Sequence, residues 1–351
     1  MRRIALWLLC AALVVAAAGC GGGSKSSGGG TSSATTSGGG NQLKVGLVTD
    51  IGGLNDRSFN HLAYLGLQRA QSQLGISGRV LESHQASDYV PNLSSLAQQH
   101  YDLIVGVGFL MSDAIDAVAT KFPKQSFTII DFSQAALKHK PKNVRGLLFK
   151  EQEAGYLVGY LAGLLEKGKA AGAGKANTIS SVGGQKIPPV DHYIAGYQAG
   201  ANAADPTIKT LNGYSQDFVD QAKCKELALT QIGQGSDVVF QVAGGCGLGA
   251  LDAAKDKKVW GIGVDADQAY IGPQVLTSAL KKVDVAVFDT IRDVKNDRFK
   301  GGGDSIFDVK AGGVGIGKIS PKVPAADKTK VLQVQKDIAA GKIKNIPDTV
   351  K

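Results

Sequence analysis

Cysteine is scarce in this sequence, and the scarcity excludes several kinds of protein. Only 4 of the 351 residues are cysteine. Four are too few for a disulfide-dense scaffold, and the absence of a C-x-x-C pair argues against a zinc ribbon or a thioredoxin site. With 43% hydrophobic and 20% charged residues, the chain has the composition of a globular protein long enough for two domains.

Catalytic and metal-binding motifs are also missing. The 5 histidines are scattered without an H-E-x-x-H pair, and there is no G-x-S-x-G turn of the α/β-hydrolase kind. The run GGCGLG at residues 244–249 resembles a phosphate-binding loop but lacks the G-x-x-x-x-G-K-[ST] pattern. We therefore expect no metal ion, no cofactor and no enzymatic activity.

Long basic runs are absent, although the formal net charge is +9. Two of these charges, Arg2 and Arg3, lie in a segment that we expect to be removed. Nucleic-acid-binding proteins usually concentrate their basic residues in a patch or stripe. The even spread of charge therefore argues against a nucleic-acid partner.

The N-terminus has the features of a lipoprotein signal. A basic start precedes the apolar run Ile4–Ala18, which at about 15 residues is too short to span a bilayer as a helix. Small residues then precede Cys20 in a pattern that resembles the bacterial lipobox, in which the cysteine is acylated and the peptide is cut before it. We predict a signal peptide over 1–19 and a lipid anchor on the extracytoplasmic side of the cell membrane. The alternative is an ordinary secretory signal next to a cysteine.

A flexible tether should follow the lipidated cysteine. Residues 20–41 are rich in Gly, Ser and Thr, and such a composition cannot bury enough apolar surface to fold. We expect a soluble body held to the membrane by this segment.

Short apolar runs alternate with helical patterns along the rest of the chain. Near-continuously hydrophobic strands separated by helices are typical of parallel sheets covered on both faces. The predicted strands are 44–49, 79–82, 103–106, 126–131 and 144–149, then 178–182, 208–212, 238–242 and 259–264. The predicted helices are 60–74, 92–99, 112–121, 151–166, 193–203, 220–233 and 247–257. The fold class is therefore α/β, with two doubly wound parallel-sheet lobes.

The last part of the sequence should complete both lobes. A helical stretch is predicted over 275–296, a β-like segment over 305–309 and a final helix over 327–340. We assign 42–150 plus about 274–300 to the N-terminal lobe, and 151–273 plus about 301–351 to the C-terminal lobe.

Candidate ligand-binding residues lie in the loops that follow the predicted strands, because ligands of open parallel sheets bind beyond the carboxyl ends of the strands. These loops contain carboxylates, glycines and, at loop tips, the two phenylalanines Phe59 and Phe218, one in each lobe. A single loop phenylalanine usually packs into the core. Two on facing edges favour a flat ligand held between them, and carboxylates accept hydrogen bonds from ring N–H and sugar hydroxyl groups.

Five ordered motifs carry a family resemblance that runs from about residue 43 to 320. They are VTDIGGLNDRSFN at 48–60, VGGQKIPPVDHYIAGYQAG at 182–200, VVFQVAGGCGLGALDAAKD at 238–256, GVDADQ at 263–268 and SALKKVDVAVFDTI at 278–291. Together they resemble the basic membrane protein family, substrate-binding lipoproteins of ABC importers typified by a purine nucleoside receptor. The resemblance implies a type I periplasmic-binding-protein fold with a hinge, whose lobes close around a nucleoside.

The resemblance also implies roles for individual residues. Asp50 and Phe59 would contact the base, with Asn60 beside them, and Asn55 of the same loop is included in the predicted ligand-binding set. Phe218 matches the second stacking aromatic residue. Four further residues match positions that contact the ribose or line the cleft: Asp131, Gly245, Asp265 and Lys281.

Cys224 and Cys246 are the cysteines left after removal of Cys10 and acylation of Cys20. An oxidising exterior allows them to pair, and the alternative is two separate buried cysteines. Neither is the residue most common at its position in the family. Both fall at the starts of helices on adjacent loops of one lobe, which favours a disulfide between them.

The expected function is capture of a nucleoside, which the resemblance implies is a purine nucleoside, and its delivery to an ABC permease by a monomeric binding protein. Three alternatives stay open. They are the same fold bound to another flat solute such as riboflavin, a surface interaction protein or adhesin, and an extracellular nucleoside-processing enzyme.

Overall fold

The computed structural model describes residues 42–350, which belong to a compact unit, Gln42–Lys351. The predicted signal peptide over 1–19, the acylation of Cys20 and the tether over 20–41 concern residues outside this description. Along residues 42–350, every helix is too short or too polar to cross a membrane.

Five strands and three helices alternate in the first part of the chain. The strands are β1 (Lys44–Val48), β2 (Ser77–Leu81), β3 (Leu103–Gly106), β4 (Ser126–Ile130) and β5 (Val144–Phe149), and the helices are α1 (Phe59–Leu74), α2 (Tyr89–Gln98) and α3 (Ser112–Lys121). The strands pair in parallel in the order β5-β4-β3-β1-β2. All four residues of β3 are buried, as expected for a central strand covered by helices on both faces.

A second alternating series builds a second sheet of the same order. Its elements are α4 (Glu151–Gly168), β6 (Thr178–Gly183), α5 (Pro188–Ala204), β7 (Lys209–Tyr214), α6 (Gln221–Gly233), β8 (Val238–Val242), α7 (Gly247–Lys257), β9 (Trp260–Asp265) and β10 (Val275–Lys281). The strands pair in parallel in the order β10-β9-β8-β6-β7. Every residue of β6, β8 and β9 is buried.

The C-terminal elements are shared between the two sheets. They are α8 (Val283–Lys295), β11 (Gly303–Phe307), β12 (Val314–Ile316) and α9 (Ala325–Ala339). β11 pairs in parallel with β5, and β12 pairs antiparallel with β10. The first sheet with α1–α3 and α8 is called the first lobe here, and the second sheet with α4–α7 and α9 the second lobe. The predicted fold class, α/β with two parallel-sheet lobes, is confirmed.

Two details of the predicted lobes are wrong. The stretch 275–296 is not one helix in the N-terminal lobe, because β10 occupies its first part and joins the second sheet. Only α8 belongs to the first lobe, where the Asp284 carbonyl lies against Gly66 of α1. Conversely, β11 was assigned to the C-terminal lobe but extends the first sheet. Local apolar periodicity does not distinguish a short buried strand from a helix segment, nor one sheet from another.

The chain passes between the lobes after β5, after β10 and after β11 along the described residues. The crossings lie close together, since the rings of Phe149 and Phe307 stack with centroids 5.0 Å apart. Lys150 N donates to Phe307 O at 3.0 Å, and Lys282 N donates to Gly313 O at 2.8 Å. These contacts place Lys281, the last residue of β10, between the lobes.

Candidate functional site

A cavity between the lobes brings most of the predicted site residues together. It lies at the carboxyl ends of the strands in both sheets, where open parallel sheets bind their ligands. Seven predicted residues line it: Asp50, Phe59, Asn60, Asp131, Phe218, Asp265 and Lys281. These residues are far apart in the sequence, with 231 positions between Asp50 and Lys281.

Phe59 and Phe218 reach this cavity from opposite lobes. Phe59 is the first residue of α1, and the ammonium of Lys281 lies 5.1 Å from its ring centroid. Phe218 lies on the loop between β7 and α6, and its ring packs on the backbone of Gly184. A Cβ at Gly184 would come within 2.3 Å of Phe218 Cε1, so a side chain at that position would displace the ring. Both phenylalanines are half-buried, which leaves part of each ring open to the cavity.

The Asp50 carboxylate follows β1 and has one oxygen in use. Its Oδ1 accepts hydrogen bonds from Gly52 N at 2.9 Å and from Asn60 Nδ2 at 2.7 Å. Burial raises the pKa of Asp50 to about 6, against the opposing effect of the Asn60 hydrogen bond. The second oxygen, Oδ2, is available to accept from a ligand in the cavity.

Asn60 orients this carboxylate. Its amide also donates to Asp56 Oδ2 at 3.1 Å, and its Oδ1 accepts from Asp50 N at 3.1 Å. Asp56 in turn accepts from the backbone N–H groups of Ser58, Asn60 and His61 at the start of α1. Because Asn60 is only 2% exposed and its polar atoms are engaged, its role is to hold Asp50 in place.

Asp131 and Asp265 occupy matching positions in the two lobes. Asp131 follows β4 and Asp265 ends β9, the fourth strand of each series, and both have left-handed backbones with φ of 67° and 60°. Asp265 accepts hydrogen bonds from Ser58 Oγ at 2.7 Å and Tyr193 OH at 3.1 Å. Since Ser58 belongs to the first lobe, its hydrogen bond to Asp265 joins the lobes across the cavity.

Lys281 is the buried cation of the site. Its Nζ lies 2.6 Å from Asp131 Oδ2 and 2.8 Å from Glu151 Oε1, and the residue is 1% exposed. Burial alone would lower the pKa of Lys281, but the charges of Asp131 and Glu151 outweigh it and raise this pKa above its usual range. His192 Nδ1 lies 3.0 Å from Glu151 Oε2. The ammonium of Lys281 is therefore paired with one carboxylate from each lobe.

Asp131 keeps an unused acceptor. Burial raises the pKa of Asp131 to about 7, opposed by the charge of Lys281. Its Oδ1 is buried and has no hydrogen-bond partner among the described residues. The cavity thus presents free carboxylate oxygens on Asp50 and Asp131, while its ammonium group is already paired. This arrangement suits a neutral ligand that carries several hydrogen-bond donors.

Comparison with known proteins assigns the chain to a family. The model of the Bmp family, ABC transporter substrate-binding proteins of the PnrA-like kind, matches residues 43–349. The chain belongs to the Bmp family. The family predicted from the sequence motifs is therefore confirmed.

Two relatives of this Bmp-family chain illustrate the match. The ABC transporter nucleoside-binding protein BmpA of Lactococcus lactis is 37% identical over 323 residues, which cover 86% of this chain and 88% of that protein. An uncharacterized lipoprotein of Pyrococcus abyssi is 34% identical, over 88% of this chain and 76% of that protein. The family thus includes lipoproteins and substrate-binding proteins of ABC transporters, and it is a family of binding proteins rather than of enzymes.

A solved structure supports the same fold. An ABC transporter solute-binding protein from Aeropyrum pernix superposes with a TM-score of 0.79 at 28% identity, covering 87% of this chain and 94% of that one. The Bmp-family chain is accordingly a substrate-binding protein with the two-lobed architecture of solute receptors. Its class implies a small-molecule ligand and a permease partner.

Two residues of the predicted ligand-binding set lie outside the cavity of this Bmp-family protein. Asn55 lines a separate groove, together with Arg57, His61 and Lys255. Gly245 is not among the lining residues, whereas its neighbour Gly244 is. Both loops contribute other residues to the cavity lining, but a loop sequence does not state which of its side chains turn inward.

Several lining residues were missed. Gly108, Phe109 and Leu110 follow β3, so the rule that selected the other strand ends would have found them. Ile187, Pro189 and Val190 form an apolar wall at the start of α5, and Tyr193 follows on the same helix. Glu151 does not line the cavity but contacts Lys281, and it lay in no predicted loop because it begins a helix of the second lobe. It became recognisable only through its contact with Lys281.

Cys224 and Cys246 are joined by a disulfide in the structure, with 5.6 Å between their Cα atoms. The bond connects the start of α6 to the residue before α7, beside the loop that carries Phe218. Among residues 42–350, no group of three or more His, Cys, Asp or Glu side chains is arranged to hold a metal ion.

Proposed function

We propose that this protein captures a nucleoside, with a purine preferred, between its two lobes. The observation that carries the proposal is the single cavity that Phe59 and Phe218 line from opposite lobes. Stacking of a base on an aromatic side chain contributes about 1–3 kcal/mol. The relative from Lactococcus lactis, named as a nucleoside-binding protein, supports the same ligand class.

The polar groups of the cavity favour a nucleoside over a nucleotide. The free oxygens of Asp50 and Asp131 accept hydrogen bonds from base N–H and ribose hydroxyl groups, and Asp265 lies on the facing lobe. A phosphate would meet these carboxylates, while Lys281 is already paired with Asp131 and Glu151. We therefore expect affinity for neutral nucleosides in the micromolar range or tighter, roughly −8 to −11 kcal/mol.

Binding would favour the closed arrangement of the lobes. Ser58 of the first lobe donates to Asp265 of the second at 2.7 Å, and Lys281 of the second contacts Asp131 of the first at 2.6 Å. A ligand that contacts both lobes adds to these bonds only when the lobes are closed, so it shifts the population towards the closed state. The three crossings near Phe149 and Phe307 are the proposed hinge.

The closed, loaded protein would then deliver its ligand to an ABC permease. We propose that it does so as a monomer anchored through an acylated Cys20 on the outer side of the cell membrane. The lipoprotein relative from Pyrococcus abyssi and the lipobox-like N-terminal sequence support this location.

A thermal-shift screen tests the proposed ligand. The body Gln42–Lys351 is heated with nucleosides, free bases, nucleoside monophosphates, ribose, riboflavin and amino acids. A ligand present at about 100 times its dissociation constant stabilises the folded state by about 2.7 kcal/mol, which is visible as a higher melting temperature. We expect purine nucleosides to give the largest shift, and bases, ribose and monophosphates to give less.

The other outcomes distinguish the alternatives. A shift with riboflavin alone would replace the nucleoside with another flat solute. A folded, ligand-free protein that no small molecule stabilises would contradict the receptor hypothesis and favour a surface interaction role.

A further inference from the structure

The disulfide lies next to the loop that carries Phe218, one of the two proposed stacking residues. Cys224 is in the first turn of α6 and Cys246 immediately precedes α7, and both are completely buried. The bond therefore ties the β7–α6 loop, which carries Phe218, to the β8–α7 loop, which carries Gly244.

Backbone contacts continue this link up to the aromatic ring. Cys246 N donates to Phe218 O at 3.0 Å, so the cystine residue itself holds the Phe218 main chain. A Cβ at Gly244 would lie 3.5 Å from Phe218 O and 3.9 Å from its Cδ1, which shows how closely the second loop passes the first. Phe218 therefore contacts both Gly184, which follows β6, and the β8–α7 loop, which the disulfide joins to the start of α6.

The first residues of the Phe218 loop are attached to the end of β6, since Ser215 N and Gln216 N donate to Gly183 O and Gly184 O at 2.8 and 3.0 Å. The hydrogen bonds of the Asp217 side chain that follow are local. Asp217 Oδ1 accepts from Val219 N and Asp220 N, and Asp217 Oδ2 pairs with Lys223 at 2.7 Å. Such bonds shape the loop but do not attach it to its neighbour. Past Ser215 and Gln216, the hydrogen bond that attaches the Phe218 backbone to the β8–α7 loop is the one from Cys246 N, beside the disulfide.

We propose that the Cys224–Cys246 disulfide is a positioning element for ligand binding, which fixes Phe218 before the ligand arrives. The proposal rests on the proposed nucleoside-binding function. A loop that is ordered in advance loses less entropy when the ligand binds, and such pre-organisation is realised mainly as slower dissociation. Loss of the bond should leave the fold intact but weaken the contribution of Phe218.

A double-mutant cycle measures this coupling. Calorimetry and stopped-flow kinetics are run with the best nucleoside of the screen on wild type, C224A/C246A, F218A and the triple variant. We expect C224A/C246A to bind about tenfold more weakly, chiefly through faster dissociation. We also expect the factor by which F218A lowers affinity to be several-fold smaller in the disulfide-free background than in wild type.

Phe59 supplies the matched control, because it lines the same cavity from the lobe without the disulfide. F59A should lower affinity by the same factor with and without the bond. If loss of the disulfide changed the effect of F59A on affinity as much as the effect of F218A, the disulfide would only stabilise the protein as a whole. Wild-type affinity in folded C224A/C246A, or an unchanged effect of F218A, would equally overturn the proposal. C224V/C246A, which fills more of the vacated space, replaces the alanine pair if the latter does not fold.

A second readout does not depend on the ligand. Hydrogen exchange is measured by mass spectrometry on the ligand-free wild type and on the disulfide-free variant. We expect faster exchange of the amides in 215–220 and unchanged exchange in 56–61. Unchanged exchange in 215–220 would contradict the positioning role. If no nucleoside binds wild type, the proposed function fails while this measurement still decides the role of the disulfide.

Discussion

Phe59 and Phe218 reach the cavity by different local routes. Phe59 starts a regular helix whose N-terminus is fixed by Asp56, whereas Phe218 sits on an irregular loop and rests on the backbone of Gly184. The side chain of Phe59 is therefore placed by secondary structure, and that of Phe218 by tertiary contacts. Both would present a ring face to a flat ligand.

Truncation of either ring tests the stacking arrangement. F59A and F218A should each weaken nucleoside binding by about 1–3 kcal/mol, because a base loses one stacking surface. Isothermal titration calorimetry measures the affinity, and circular dichroism verifies the fold. Y270A, which truncates a second-lobe aromatic residue that is 64% exposed and does not line the cavity, should bind as wild type does. Unchanged affinity in both phenylalanine variants would rule out the sandwich.

Glu166 shows that a perturbed carboxyl group need not belong to the ligand site. It lies near the C-terminal end of α4, it is 2% exposed, and neither of its carboxylate oxygens has a hydrogen-bond partner among the described residues. Burial, together with the charge of Asp237, raises the pKa of Glu166 from 4.5 to about 7. The folded protein therefore holds this proton more tightly than the unfolded chain does.

The raised pKa gives stability a pH dependence of known sign. The contribution of Glu166 is most favourable below about pH 4.5 and is lost as the pH rises through about 7. E166Q cannot ionise at this position. The unfolding free energy of E166Q minus that of wild type should therefore be roughly 1–3 kcal/mol larger at pH 8 than at pH 4.5. Urea unfolding at the two pH values measures the difference. The exposed E226Q serves as control, and an identical effect of E166Q at both pH values would contradict the assignment.

At the scale of elements, α4 and α5 pack unusually closely. Glycines face the opposite backbone from both helices, at positions 155, 159 and 163 of α4 and 196 and 200 of α5. A Cβ at Gly159 would lie 2.0 Å from Tyr197 O, and one at Gly200 would lie 2.0 Å from Tyr156 O. This packing sets the position of α4, whose first residue, Glu151, binds Lys281.

Alanine at the helix contact should separate the helices. G159A is expected to lower the free energy of unfolding by about 1–3 kcal/mol, because the added methyl group meets a backbone carbonyl that cannot move aside. G233A is the control, since no atom lies within 4 Å of the position of its Cβ in α6. It should be neutral or stabilising by up to about 1 kcal/mol. Equal stability of the two variants in denaturant unfolding would show that α4 and α5 can shift apart freely.

At the scale of the whole molecule, closure depends on few direct bonds between the lobes. The Ser58 hydroxyl is completely buried and lies 2.7 Å from Asp265 Oδ2. Gln268 Nε2 also donates to Arg57 O across the same boundary, at 3.4 Å. These bonds connect the two lobes beside the cavity, and together they are called the latch here.

Removal of the latch should speed ligand release. S58A loses a hydrogen bond to a charged group, a change of about 1.5–3 kcal/mol, and we expect this loss to appear mainly in the dissociation rate measured by stopped flow. S72A is the matched control, because Ser72 Oγ is exposed and bonds only within α1, to Arg69 O. A wild-type dissociation rate for S58A would mean that the lobes stay closed without this bond.

Much of this architecture could be predicted because it is local in the sequence. β1, β3, β4, β5 and β8 lie within a residue of their predicted ranges, since each is a short apolar run between turns. Asp50, Phe59, Asp131 and Asp265 were identified in the loops that follow predicted strands, and the topology of an open parallel sheet brings such loops to one edge.

The sequence by itself therefore determined the family, the two sheets and most of the loops that line the cavity. Only the tertiary structure decided that β10 joins the second sheet, that Asn55 turns outward, and that Lys281 meets Asp131 and Glu151. The reason is physical. Periodicity and turn residues reflect forces between neighbours in the chain, whereas the direction of a loop side chain and the partner of a buried charge depend on groups that folding brings together from distant positions.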